Sequence, residues 1–145
     1  MINTDFMDAA IQIALQSERD IPVGAVIVHN NQILATACNR KERLQNPTRH
    51  AEMIVIEEAC KKLNSWRLEE CELYVTLEPC PMCAWAIIQS RIKSVYFGSF
   101  DSLYGALGSK LDLRILTNSK TKVIGGIKEN ECNILLREYF ERIRK

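Results

Sequence analysis

His50, Cys80 and Cys83 are residues of the types that hold zinc, and Glu52 stands two positions after the histidine. The two cysteines lie three apart in Pro79-Cys80-Pro81-Met82-Cys83. A structural zinc site is normally closed by four protein ligands, whereas a hydrolytic one keeps a place for water. Three ligands with a carboxylate beside one of them therefore imply one Zn²⁺ per chain with a water in the fourth position. Two thiolates and a neutral imidazole cancel the charge of the ion. Its water is then acidified less than at a three-histidine site, and a separate base is needed. Glu52 fits that role, taking the proton from water and returning it later in the reaction.

Other readings of the same residues differ in what they require. A redox CxxC pair needs an oxidoreductase context, and none surrounds this one. A structural site needs a fourth protein ligand, for which Cys38, Cys60, Cys71 and His29 are the candidates. A lone Glu is ordinarily a solvated helix residue, but Glu52 lies beside a ligand.

Local sequence places these groups at helix starts. Pro81 falls where proline is favoured, at the first helical position. A second helix is expected from Ala51 to about Leu63. At its N-terminus, His50 and Glu52 can both reach a site beyond the end, although two residues apart in mid-helix they would diverge. The partial positive charge of two helix N-termini favours thiolates and a carboxylate.

The elements that must carry these starts follow from periodicity. Phe6, Ala9, Ala10, Ile13 and Ala14 recur at helical spacing. Val23–His29 and Ile33–Cys38 read as strands joined at Asn30-Asn31. Residues 39–49 read as a polar loop. Leu73–Leu77 is a short strand delivering Pro79-Cys80 to a helix ending near Arg91. Ser94–Gly98 is a fourth strand, Ser99–Gly108 a loop, Leu111–Leu116 a short helix and Lys122–Ile127 a fifth strand. A last helix begins at Glu129, with Ile134, Leu135, Tyr139 and Ile143 on its inner face. This order predicts an α/β fold in three α/β/α layers, with a mixed five-stranded sheet covered on both faces.

A chain of 145 residues, 47% hydrophobic and 26% charged, fits one globular domain over residues 1–145. Met1–Ala10 lacks the pattern of a signal peptide. The longest apolar run, Ile21–Val28, is far short of a membrane span. Cys38, Cys60, Cys71 and Cys132 have no framework spacing, so buried free thiols in a reducing cytoplasm are expected. Net charge is +1, which by itself favours no polyanionic partner. Its distribution is less even. Arg40, Lys41, Arg43 and Arg49 cluster before His50, and residues 106–145 carry nine basic and five acidic side chains. Such a basic rim beside a metal pocket suits a phosphate-bearing substrate, although charge runs of this kind are commonly only solvated faces.

The H-x-E…P-C-x-x-C arrangement is the known signature of zinc-dependent nucleobase deaminases. Across nearly its whole length the sequence resembles the bacterial tRNA-specific adenosine deaminase family, within the cytidine deaminase superfamily. Ile21–Val26, Asn39, Asn46–Glu52, Leu73–Ala84, Phe97-Gly98 with Asp101 and Gly105, and Tyr139–Arg144 carry the likeness. The resemblance implies a cytoplasmic homodimer that converts adenosine to inosine at the wobble position of a tRNA anticodon loop. It implies that Asn39 hydrogen-bonds the purine, that the Ala51 backbone helps place the exocyclic amine, and that Asp101 belongs to a loop bordering the nucleotide. The basic ends, Arg40, Lys41, Arg43 and Arg49 on one rim and Arg137, Arg142, Arg144 and Lys145 on the other, would meet RNA. The sequence departs from the family pattern at Arg49, at Trp85, at Ser119 and at the bulky Leu103-Tyr104. A deaminase of free guanine, cytosine or a nucleoside would use the same zinc and glutamate. A non-catalytic subunit could dispense with Glu52, which is present.

Overall fold

The computed structural model of the chain describes residues 2–144; Met1 and Lys145 lie outside the described residues. Its elements are α1 (Thr4–Ala14), β1 (Gly24–His29), β2 (Gln32–Cys38), α2 (Lys41–Leu44), α3 (Ala51–Leu63), β3 (Cys71–Leu77), α4 (Pro81–Gln89), β4 (Ser94–Ser99), α5 (Leu113–Thr117), β5 (Lys122–Ile124) and α6 (Glu129–Ile143). The strands form one sheet in the order β2-β1-β3-β4-β5. β1 pairs antiparallel with β2 and β3, while β3, β4 and β5 run parallel. The sheet is mixed and five-stranded, as expected.

Alternation along the strands builds two cores, because successive side chains leave a strand on opposite faces. Ala25, Ile27, Leu73, Val75, Val95 and Phe97 pack with Ala51, Val55 and Ala59 of α3 and Ala84 and Ile87 of α4. Val26, Val28, Tyr74 and Tyr96 pack on the other face with Met7 and Ala10 of α1 and Cys132 of α6. Helices thus cover both faces, and the first core holds the starts of α3 and α4 in place. Gly24 lets α1 approach β1 closely: a Cβ there would lie 1.9 Å from the Ala10 carbonyl oxygen.

Most element ends shift by one or two residues from the sequence expectation, and three features differ more. The 39–49 loop contains the single turn α2, because the buried Asp20 accepts from the Glu42 amide at 2.8 Å and so caps it. β5 stops at Ile124 because Gly125-Gly126 turns the chain; Gly126 has φ +86°. On α6, Ile134 and Ile143 are exposed and Cys132 is the buried residue. Of the expected inner face, Leu135 and Tyr139 are half-buried, and the Tyr139 hydroxyl donates to the Arg19 carbonyl. All six cysteines are free thiols; Cys38, Cys71 and Cys132 are buried, whereas Cys60 is only half-buried. No helix among the described residues is long and apolar enough to cross a membrane.

Candidate metal and active site

His50 and Cys80 are the N-cap residues of α3 and α4, and neither makes a side-chain capping hydrogen bond. N-caps are ordinarily Ser, Thr, Asp or Asn, whose side chains satisfy the helix's first amides. Here both side chains turn outward to each other instead. His50 Nδ1 lies 3.6 Å from Cys80 Sγ and 3.5 Å from Cys83 Sγ. A tetrahedral zinc with Zn–N near 2.0–2.1 Å and Zn–S near 2.3 Å separates N from S by about 3.6 Å. The donor set and its spacing therefore fit one Zn²⁺. These three residues are the one such cluster of potential ligands among the described residues; Cys38, Cys60, Cys71 and His29 do not join it.

Among the cluster's own side chains the electrostatics are those of a shared proton. A hydrogen bond from Cys83 stabilises the Cys80 thiolate and draws its pKa down to about 4, against the opposing effect of burial; His50 helps. The proton retained by Cys83 is correspondingly hard to remove. His50 is raised from its ordinary value, chiefly by its contact with Cys80. Glu52, on the first turn of α3, is 4% exposed. Burial pushes its carboxyl up to about 7, with its own backbone amide opposing. A carboxyl so poised can both take and give a proton near neutrality.

Asn39 connects this site to the sheet. Its Oδ1 accepts from the Ala51 amide at 2.8 Å, and its Nδ2 donates to the Ile21 carbonyl at 3.0 Å. The cap missing from His50 is thus supplied from twelve residues away. For a ligand, Asn39 retains one amide hydrogen and Ala51 only its carbonyl oxygen. Asp101 closes its own loop: Oδ1 accepts from the Leu103 and Tyr104 amides, each at 3.0 Å.

The basic residues divide by partner. Arg49 pairs with Glu57 at 2.8 Å, and its Nε is buried without a hydrogen bond. Arg43 donates to the Gln16 carbonyl at 2.7 Å. Arg40 and Lys41 have no ion pair among the described residues. On α6, the Arg142 guanidinium sits 6.0 Å from the Tyr139 ring, whose hydroxyl donates to the Arg19 carbonyl. Segment 16–20 therefore touches Arg43 directly and Arg142 only through Tyr139.

Sequence reasoning gave Glu78 no role of its own. It is 2% exposed, and its carboxylate gathers the amides of Asp101, Leu107 and Ser109. A charged residue at the end of a buried strand was the available signal.

Comparison with known proteins agrees with this geometry. The family profile described as cytidine and deoxycytidylate deaminase zinc-binding region matches residues 2–99. The tRNA-specific adenosine deaminase of Bacillus subtilis (strain 168) is 45% identical over 144 residues, covering 97% of this chain and 89% of that protein. The chain belongs to the tRNA-specific adenosine deaminase family. The family member of Aquifex aeolicus (strain VF5) is 41% identical, covering 96% of this chain and 94% of its own. A solved structure from studies of A-to-I editing by tRNA:A34 deaminases superposes with a TM-score of 0.85 at 36% identity, covering 92% of this chain and all of that one. Guanine deaminase from Bacillus subtilis matches at 38% identity with a TM-score of 0.65, over 69% of this chain and 66% of its own.

Proposed function

We propose that this protein, as a single domain over residues 1–145, hydrolytically deaminates adenosine to inosine at the wobble position of a tRNA anticodon loop. The observation that carries the reading is the buried Glu52 beside the His50/Cys80/Cys83 cluster. It occurs in a chain alike over 97% of its length to a tRNA-specific adenosine deaminase. The Bacillus subtilis guanine deaminase structure, at 38% identity, covers 69% of this chain, and that of Nitrosomonas europaea, which covers 95%, is only 21% identical and shares the fold alone.

The reaction adds water at C6 of the purine, breaks the C6–N6 bond and releases ammonia. Bound Zn²⁺ supplies a Lewis-acid position at which water is activated. Glu52 takes a proton from the attacking water and gives it to N1 as C6 is attacked, then moves the proton of the resulting C6 hydroxyl to the departing amine, leaving the C6 carbonyl of inosine. The remaining Asn39 amide hydrogen binds the purine, and the Ala51 carbonyl accepts from the exocyclic amine. Asp101 borders the nucleotide. The anticodon loop suits this pocket because its bases splay without melting a duplex. Arg40 and Lys41 on one side and Arg142 and Arg144 on the other take phosphates.

The protein acts as a cytoplasmic homodimer. Trp85 of α4 and Ile115 and Leu116 of the adjoining α5 are exposed apolar residues that a second copy would cover. The deciding experiment offers the purified protein an adenosine-containing anticodon stem-loop and, separately, free bases and nucleosides. Inosine in the stem-loop supports the reading. Ammonia from guanine or cytosine with the stem-loop unmodified rejects it. Sedimentation of the same sample at twice the chain mass supports the dimer, and monomer mass rejects it.

A further inference from the structure

Loop 100–112, between β4 and α5, carries an exposed apolar tip: Leu103 is 70% exposed and Tyr104 66%. Exposed tips are ordinarily mobile, but this one is held from beneath. Glu78 lies two residues before the ligand Cys80. Its carboxylate accepts from the amides of Asp101 at 3.1 Å, Leu107 at 3.2 Å and Ser109 at 3.0 Å, and from the Ser109 hydroxyl. A carboxylate only accepts, at about four lone-pair sites, so the loop supplies a full set of donors. Gly105 allows the loop to close on it, since a Cβ there would lie 2.4 Å from both Glu78 Cδ and the Asp101 carbonyl oxygen. The Ala106 amide then donates to the Pro79 carbonyl at 2.9 Å, next to Cys80. Tyr104 is two residues from Ala106, about 7 Å of extended chain at most.

We propose that Glu78 is a positioning residue, and that the tip it fixes, Tyr104 with Leu103, stacks on the base beside the target nucleotide. The proposal rests on the RNA reading above. Bases flanking a splayed nucleotide present open faces, and aromatic side chains are what stack on them. Neither Leu103 nor Tyr104 carries a cation. Their contribution is therefore independent of salt, unlike that of phosphate contacts.

Four variants, Tyr104→Ala, Tyr104→Phe, Glu78→Gln and the double Glu78→Gln/Tyr104→Ala, are assayed on an adenosine-containing stem-loop across a salt series. Zinc content and backbone amide exchange are measured on each. Tyr104→Ala is expected to raise KM on the order of 10-fold, within the range of one base stack. It should leave kcat and the salt slope near wild type, and Tyr104→Phe should restore KM. Glu78→Gln should raise KM with zinc retained and speed exchange at Asp101, Leu107 and Ser109. The double variant should be no worse than the poorer single one, because the two act through one loop. Unchanged KM in Tyr104→Ala, additive losses, or lost zinc in Glu78→Gln would overturn the proposal. If the wild type leaves the stem-loop unmodified, the RNA reading and the stacking role fail together. Unchanged exchange in Glu78→Gln would separately remove Glu78 as the clamp.

Discussion

Asn39 caps the helix that carries Glu52, through a 2.8 Å hydrogen bond from the Ala51 amide to Asn39 Oδ1. The helix's own N-cap, His50, leaves that amide without a local side-chain partner. One residue thus frees the histidine for metal and fixes the direction in which Glu52 leaves the helix.

Asn39→Ala should therefore lower both stability and turnover. Losing a cap costs about 1 kcal/mol, and the Ile21 carbonyl loses its donor as well. Thermal unfolding should shift downward by a few degrees, roughly as 1 kcal/mol does for a domain of this size. An unchanged midpoint would show that water replaces the amide at no cost.

Glu52→Ala should bind zinc and fold, yet lose most activity. General acid–base groups contribute roughly 10²–10⁴-fold, and Glu52 serves at more than one step. Removing a buried carboxyl at 4% exposure creates no new unpaired charge, so stability should not fall sharply. Zinc-replete protein with near-normal turnover would place proton transfer elsewhere.

Much of this was legible in the residues themselves. Types and spacing at His50, Glu52, Cys80 and Cys83 indicated a metal with an open position, and Pro81 marked a helix start. The unbroken apolar run Val26-Ile27-Val28 indicated a strand buried on both sides. What escaped was long-range. Asn39 capping Ala51, Asp20 capping α2 and Glu78 holding 101–109 join residues 12 to 31 positions apart. No local pattern encodes such pairs. Arg49 looked like part of a basic rim, but Glu57, two turns along α3, holds it.

Metal removal should be cooperative with acidification. Cys80 and Cys83 bind as thiolates and His50 as neutral imidazole, so protons compete with zinc at all three. Zinc occupancy, measured by elemental analysis after dialysis, should be near one per chain at neutral pH. It should fall as pH drops, and Cys83→Ser should lower affinity throughout. Full occupancy in Cys83→Ser would mean that another residue completes the ligand set.

Salt dependence separates RNA from a free base as substrate. Each phosphate contact to a single strand contributes about 0.7 to the slope of log K against log salt. Among the described residues Arg40 and Lys41 are not paired to carboxylates, whereas Arg49 is held by Glu57 and Arg43 by the Gln16 carbonyl. Arg40→Glu with Lys41→Glu should therefore raise KM for the stem-loop and flatten the slope, as should Arg142→Glu with Arg144→Glu. Arg49→Gln should leave the slope alone while freeing Glu57. Because such contacts bind ground and transition states alike, kcat should change less than KM. Adenosine as a free nucleoside carries no phosphate, so any turnover of it should ignore both salt and these substitutions. Efficient, salt-indifferent turnover of a free base with the stem-loop untouched would reject the RNA reading and leave the zinc chemistry standing.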